Sequence, residues 1–244
     1  MAKKEQLRRV RTGTVINLSA KKQETTLGRA LRRTEAIIRG KFPSVQLIHE
    51  SQWFLKDIIV KLRTLYPDID FCYYFETSNM KPDGGILSIL DKEENKYPIL
   101  IAEVKNQGTN VLRIQEGLEP QARGNAIERL GKNVIGFRTA LINEGIFPFV
   151  CFGEGCDFAE DSSILDRVVT IAMFGKLNKT YLVNEGPVGE FKRGSFYFRE
   201  QPWSEDEMVS VMSDIATRSI YYYFSRYGEQ RFNVNETPDT EMPP

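Results

Sequence analysis

The alternation of apolar and polar residues divides the chain into a series of helices and strands. Leu27, Ala30, Leu31, Thr34 and Ile38 recur at helical spacing and predict a basic helix over 26–38, closed by Gly40 and Pro43. Phe54, Leu55, Ile58, Ile59, Leu62 and Leu65 form a second stripe, on a helix over 51–65 that Tyr66-Pro67-Asp68 stops. The aromatic run FCYYFE, 71–76, reads as a strand. After the turn Pro82-Asp83-Gly84-Gly85, the apolar runs 86–90 and 97–104 read as the two strands of a hairpin, joined by a charged loop. Residues 106–121 read as loop or short helix, and a long helix runs from about Gly124 to Gly145. Two further apolar runs, 147–152 and 167–174, predict strands. Ser204 and Glu207 have capping-box spacing and open a last helix that runs through about Phe224. Strands mixed with long helices predict an α/β fold with a mixed sheet.

Composition narrows the class without changing this picture. The chain has 244 residues, 41% of them hydrophobic and 27% charged, as in an ordinary soluble globular protein. There is no apolar run of the roughly 18 residues that a membrane span requires. The basic N-terminus lacks the apolar segment of a secretory signal. Three cysteines, Cys72, Cys151 and Cys156, make an odd set without zinc-type clustering. That pattern argues for a reducing cytoplasm and against a disulfide framework.

Charge does change the picture. The net charge is zero, yet residues 1–41 hold twelve Lys/Arg against only Glu5, Glu24 and Glu35. A basic arm on an acidic body points to a polyanionic partner, although a solvated tail would look the same. Residues 1–22 read as a flexible basic arm, 23–232 as a single domain and 233–244 as a polar tail.

The candidate chemistry lies between Lys81 and Lys105. Strand side chains alternate between faces, so Glu103 and Lys105 share one face while Val104 points to the core. Asp83, on the preceding turn, can fold back to the same end of the sheet. Two carboxylates at one spot repel, and a hard divalent cation such as Mg²⁺ would relieve them. Such a metal activates a water and stabilises charge building on a scissile phosphate. Lys105 would add a point charge. Glu50, after the apolar QLIH run, is a possible third acid. Taken singly, each of these has a plainer explanation: Pro-Asp-Gly is a common turn, and Glu-x-Lys a common strand-end ion pair. The single histidine, His49, excludes His-metal clusters and Ser-His-Asp triads. No GxxxxGK[ST] phosphate loop is present.

The stretch Arg123-Gly124-Asn125-Ala126-Ile127-Glu128-Arg129 opens the long helix. On a helical wheel Ile127, Leu130, Val134, Phe137 and Leu141 fall on one arc, and Asn125 and Arg129 lie nearly opposite. Asn binds adenine bidentately and Arg binds guanine or phosphate, so this face could read DNA. An Asn helix cap with a solvated Arg is the alternative.

PDGG, then AEVKNQG, then GNAIER followed by KN, in this order and spacing, resembles the EcoRI-type restriction endonucleases. The resemblance spans roughly residues 45–155, with weaker echoes to about 225. It implies an α/β PD-(D/E)xK endonuclease domain with a central mixed five-stranded sheet flanked by helices. It implies a type II enzyme that makes Mg²⁺-dependent cuts in both strands of double-stranded DNA, acting as a homodimer on a palindrome. It implies Asp83 and Glu103 as metal ligands and Lys105 as the catalytic lysine. It implies that Gly124, Asn125, Ala126 and Arg129 read an AATT core, and that a cognate DNA methyltransferase belongs to the same system. Asn106 after the lysine departs from the family pattern. Arg123 resembles the MunI-type branch, where an Arg at this place contacts the outer base pair. A phosphate contact would also account for it. The alternatives in function are a structure-specific repair or recombination nuclease of the same site class, and a non-catalytic sequence-specific DNA-binding protein on a decayed nuclease fold.

Overall fold

The computed structural model describes residues 15–107, 117, 125–184 and 186–233, with the backbone alone for 15–19, 125, 126 and 188. The chain runs α1 (Val15–Lys41), β1 (Leu47–Glu50), β2 (Trp53–Phe54), α2 (Leu55–Leu65), β3 (Asn79–Met80), β4 (Gly85–Leu90) and β5 (Lys96–Asn106). It continues with α3 (Asn125–Ala140), β6 (Phe149–Glu154), α4 (Ile164–Ile171), β7 (Ser195–Arg199) and α5 (Glu205–Tyr227). The main sheet has five strands in the order β1-β4-β5-β6-β7. The β1–β4 and β4–β5 pairs are antiparallel, and β5–β6 and β6–β7 are parallel, so the sheet is mixed. Strands β2 and β3 form a separate two-stranded ribbon.

Helices cover both faces, because the central strands are buried on both. On one face α1 and α5 pack Leu27, Leu31, Met212 and Ile215 against Leu100, Ala102, Val104 and Phe152. On the other, α3 and α4 pack Ile127, Leu130, Val134, Phe137 and Val168 against Ile86, Ile101, Phe149 and Cys151. Fully burying a side chain of this kind contributes roughly 1.5–3 kcal/mol. The arc expected for the long helix is therefore its core face.

The capping box is present: Ser204 Oγ accepts from Glu207 N at 3.3 Å, and Glu207 Oε2 accepts from Ser204 N at 2.9 Å. Helix α5 then runs to Tyr227, and Gly228, at φ +87°, ends it. Helix α3 stops at Ala140 rather than near Gly145. Lys192 reaches across from another segment and donates to the carbonyls of Leu141, Ile142 and Glu144 just beyond it.

Several expected elements differ. The run 167–174 is not a strand; it lies largely in α4. Ile164, Val168 and Ala172 are buried at four-residue spacing, and Met173 and Phe174 have φ of +51° and +56°, which no strand allows. The run 71–76 is not a strand either. Its main chain is held by Arg63, which donates to Phe71 O, and by the bond from Ser78 N to Phe75 O, and Tyr74 and Phe75 are exposed. The two places in the sheet go instead to β1 and β7, both short. Helix α1 begins at Val15, so residues 15–22, expected as part of the arm, are helical. Helix α2 begins at Leu55, because Trp53 and Phe54 are extended and pair with β3.

Candidate active site

The turn before β4 is built from glycine. Gly84 N donates to Ala102 O at 2.9 Å and Gly85 N to Pro82 O at 3.0 Å. Gly85 has φ +76°, and a Cβ there would lie 2.4 Å from His49 Nε2 and 2.6 Å from Glu50 O. Only glycine fits that conformation and that space. A Cβ on Gly84 would meet Ala102 Cβ at 2.9 Å and Leu27 Cδ2 at 3.0 Å. The single histidine has a structural place, with Nε2 2.9 Å from Gly84 O. The turn is thus pressed onto β5, and Asp83 is carried to the strand end that holds Glu103 and Lys105.

The three side chains meet there. Asp83 N donates to Glu103 Oε2 at 3.2 Å, and Val104 N donates to Asp83 Oδ2 at 3.3 Å. The Lys105 ammonium donates to Glu103 Oε1, to Asp83 Oδ2 at 3.3 Å and to Val104 O at 2.9 Å. Glu103 is 2% exposed, whereas the Asp83 side chain is 30% exposed and opens the site to solvent. Burial pushes the Glu103 carboxyl up from its ordinary pKa, with Lys105 opposing and Asp83 adding to the shift. Burial works against the Lys105 ammonium, but the facing Glu103 and Asp83 carboxylates outweigh it and raise its pKa.

The donor set suits a hard divalent cation. Two carboxylates and the Val104 carbonyl converge on one positive charge, the ammonium of Lys105, and oxygen ligands of this kind are what Mg²⁺ takes. Among the described residues, no group of three or more His, Cys, Asp or Glu gathers in metal-binding fashion.

Glu50 is not brought into this cluster. It stands at the end of β1, opposite Ile86. Its Oε1 is 2.7 Å from Lys96 Nζ, and its Oε2 accepts from Trp53 Nε1 at 3.4 Å. It lines a cavity of about 220 Å³ with Trp53, Asp57, Ile58 and Lys61.

Of the expected readout residues, Asn125 and Ala126 form the first positions of α3, described as backbone. Arg129 is exposed, and Ile127 and Leu130 beside it are buried, so its side of the helix faces away from the core. Arg123 and Gly124 lie outside the described residues.

The sequence pattern did not single out Gln23. Its side-chain amide is buried and donates to Lys105 O at 3.3 Å and Phe152 O at 3.2 Å. A signal existed: Gln23 sits one turn before Leu27 on the apolar stripe of α1, where a polar residue requires a buried partner.

A family profile described as "Restriction endonuclease EcoRI" matches residues 11–230. The chain belongs to the EcoRI restriction endonuclease family. As a member it is a site-specific deoxyribonuclease, and the mixed sheet with flanking helices is the fold expected of that family. Two curated relatives align over most of its length. One is the type II restriction enzyme RsrI of Cereibacter sphaeroides, 27% identical over 240 residues, covering 85% of this chain and 87% of the relative. The other is the type II restriction enzyme EcoRI of Escherichia coli, 26% identical over 236 residues, covering 82% and 85%. No helix among the described residues is long and apolar enough to cross a membrane.

Proposed function

We propose that this restriction endonuclease cuts both strands of a short palindrome containing AATT, as a homodimer that requires Mg²⁺. The observation that carries the reading is the convergence of Asp83, Glu103 and Lys105 at one strand end. Asp83, Glu103 and the Val104 carbonyl would hold the cation. Bound there, a divalent metal lowers the pKa of a water and neutralises charge on the scissile phosphate.

The chain's own groups supply the rest. The burial of Glu103 fixes its carboxylate, so the site is organised before substrate arrives. Asp83 is the more exposed acid and would be the one to meet a phosphate arriving from solvent. Lys105 presents a charge that its surroundings keep protonated, suited to orienting the attacking water and to stabilising negative charge on the phosphate.

Specificity would come from the start of α3. Gly124, Asn125, Ala126 and Arg129 would read AATT in the major groove, and Arg123 the outer pair. A two-fold dimer matches a palindrome in symmetry. The basic N-terminal residues would grip phosphates, with steep dependence on salt. A cognate DNA methyltransferase would protect the host, and residues 23–232 would form the single endonuclease domain.

The test is to incubate the purified protein with plasmid DNA, with and without Mg²⁺, and to sequence the ends. Discrete metal-dependent ends at one AATT-containing palindrome support the proposal. Cutting confined to branched DNA, or binding without cutting in any divalent metal, contradicts it.

A further inference from the structure

Helix α1 backs the candidate catalytic elements at two adjacent points. Gln23 reaches the main chain of β5 and β6, and Leu27, one turn later, lies against Gly84 in the turn that carries Asp83. These contacts come from the Val104 side of the sheet, where α1 packs, while Lys105 meets Glu103 on the other side. The opposite flank of α1 is tied to the start of α5. Arg29 and Arg33 each lie 2.9 Å from Glu205, and Arg33 lies 2.7 Å from Asp206. Gln23 therefore projects from an anchored element rather than from a loose helix.

We infer that Gln23 is a positioning residue for Lys105: its buried amide clamps the carbonyls of Lys105 and Phe152 and fixes the strand end from which the ammonium projects. The inference rests on the proposed role of Lys105. One –NH₂ group has two donors, and here two carbonyls on neighbouring parallel strands take them. The amide thus crosslinks β5 and β6 where the strands end, close to the last register pair, Asn106 with Glu154. Past that pair Gln107 N still donates to Glu154 O at 3.0 Å and Asp157 N to Gln107 O at 3.2 Å, so the amide adds a side-chain restraint on the carbonyl of residue 105 to the one the backbone gives. The ammonium depends on that restraint, because it must hold Asp83, Glu103 and the Val104 carbonyl at once. A displacement of about 1 Å at a reacting centre can cost on the order of 10²-fold in rate.

Two variants test the clamp. Gln23→Met keeps length and burial but has no donor. Gln23→Asn keeps the amide but is one methylene too short to reach both carbonyls. Each is measured for thermal midpoint, for dissociation constant on the mapped cognate duplex in Ca²⁺, and for single-turnover cleavage rate in Mg²⁺. Asp83→Ala is run alongside. The expected result, in whichever variant folds, is a cleavage rate lowered roughly ten- to a hundredfold. Binding should stay within about twofold of wild type and the thermal midpoint close to it. Cleavage at the wild-type rate overturns the inference. So does a fall in which binding, midpoint and rate decline together, since that is a packing role only. If Asp83→Ala also cuts normally, the proposed site itself is wrong; if Asp83→Ala is inert and both Gln23 variants cut normally, only the clamp is wrong.

Discussion

Asp83 and Glu103 hold each other's main chain in place. The N–H of Asp83 donates to the Glu103 carboxylate, and the N–H of Val104, next to Glu103, donates to the Asp83 carboxylate. Two acids that repel through their charges are thereby locked at a fixed distance through their backbones. Lys105 bridges them, so a cation of the chain's own meets both negative charges.

This arrangement separates charge from scaffold. Asp83→Asn keeps an oxygen to accept from Val104 N but removes the charge. Its thermal midpoint should stay near wild type while cleavage falls by at least roughly 10²-fold. Asp83→Ala removes the acceptor as well and should lower the midpoint, with duplex binding retained in both. Calorimetry and a gel-based cleavage assay on the two variants check this. Normal cutting by Asp83→Asn removes Asp83 from the proposed site.

Divalent metal should stabilise the free protein. Mg²⁺ added to metal-free enzyme is expected to raise the thermal midpoint in a concentration-dependent way, because the cation binds the folded state alone. Glu103→Gln should abolish the rise. An equal rise in that variant would place the metal elsewhere.

Glycine at 85 is a requirement of the turn that carries Asp83. Its φ of +76°, and the 2.6 Å that would separate a Cβ at this position from Glu50 O, leave no room for alanine. Gly85→Ala should cost at least about 1–3 kcal/mol in denaturant unfolding and reduce cleavage by displacing Asp83. A variant as stable as wild type would contradict the tight seat described for this turn.

Stability at low pH should depend on Asp91. Burial alone would raise its pKa, but bonds from Asn95 and Arg231 overcome this and lower it to about 2. A carboxylate with a depressed folded pKa stabilises the fold above its unfolded pKa, roughly 3.9, and loses that contribution as pH falls through the folded value. The contribution above pH 5 is on the order of 2 kcal/mol. Wild type should therefore exceed Asp91→Asn in urea midpoint at neutral pH, and the gap should narrow between about pH 4 and 2. A gap independent of pH would assign the effect to shape rather than charge.

The proposed base readout gives Arg129 and Arg123 different tests. Arg129→Ala should cost about 1–3 kcal/mol in discrimination against altered core sequences. Arg123→Ala should relax selectivity at the outer base pair. If Arg123 instead contacts phosphate, affinity should fall uniformly across sequences and the salt slope by about one. Competition binding with single-base variants separates the two.

The meeting of Asp83, Glu103 and Lys105 was legible because it is local. Asp83 and Glu103 are joined by one hairpin, and the two-residue period of β5 puts Glu103 and Lys105 on one face without knowledge of the rest of the fold. The buried arc of α3 was legible for the same reason: five apolar residues at helical spacing have one possible core face. The sheet edges were not. At β1 a four-residue strand includes an exposed His49, and at β7 only five residues pair. In 167–174 the β-branched residues favoured a strand, but burial at Ile164 and Val168 selected a helix. The aromatics of 71–76 have strand propensity, yet no strand of the sheet pairs with them. Gln23 is 82 residues from Lys105, and nothing local names its partner.

Lys105, held between two acids, is proposed above as the catalytic charge of a sequence-specific nuclease. The most direct measurement is the single-turnover cleavage rate of wild type and Lys105→Ala on a duplex carrying the mapped site, in Mg²⁺, with binding measured on the same duplex. A variant that binds at near wild-type affinity and cuts at least roughly 10²-fold more slowly is the predicted result. A variant that cuts at the wild-type rate would contradict it.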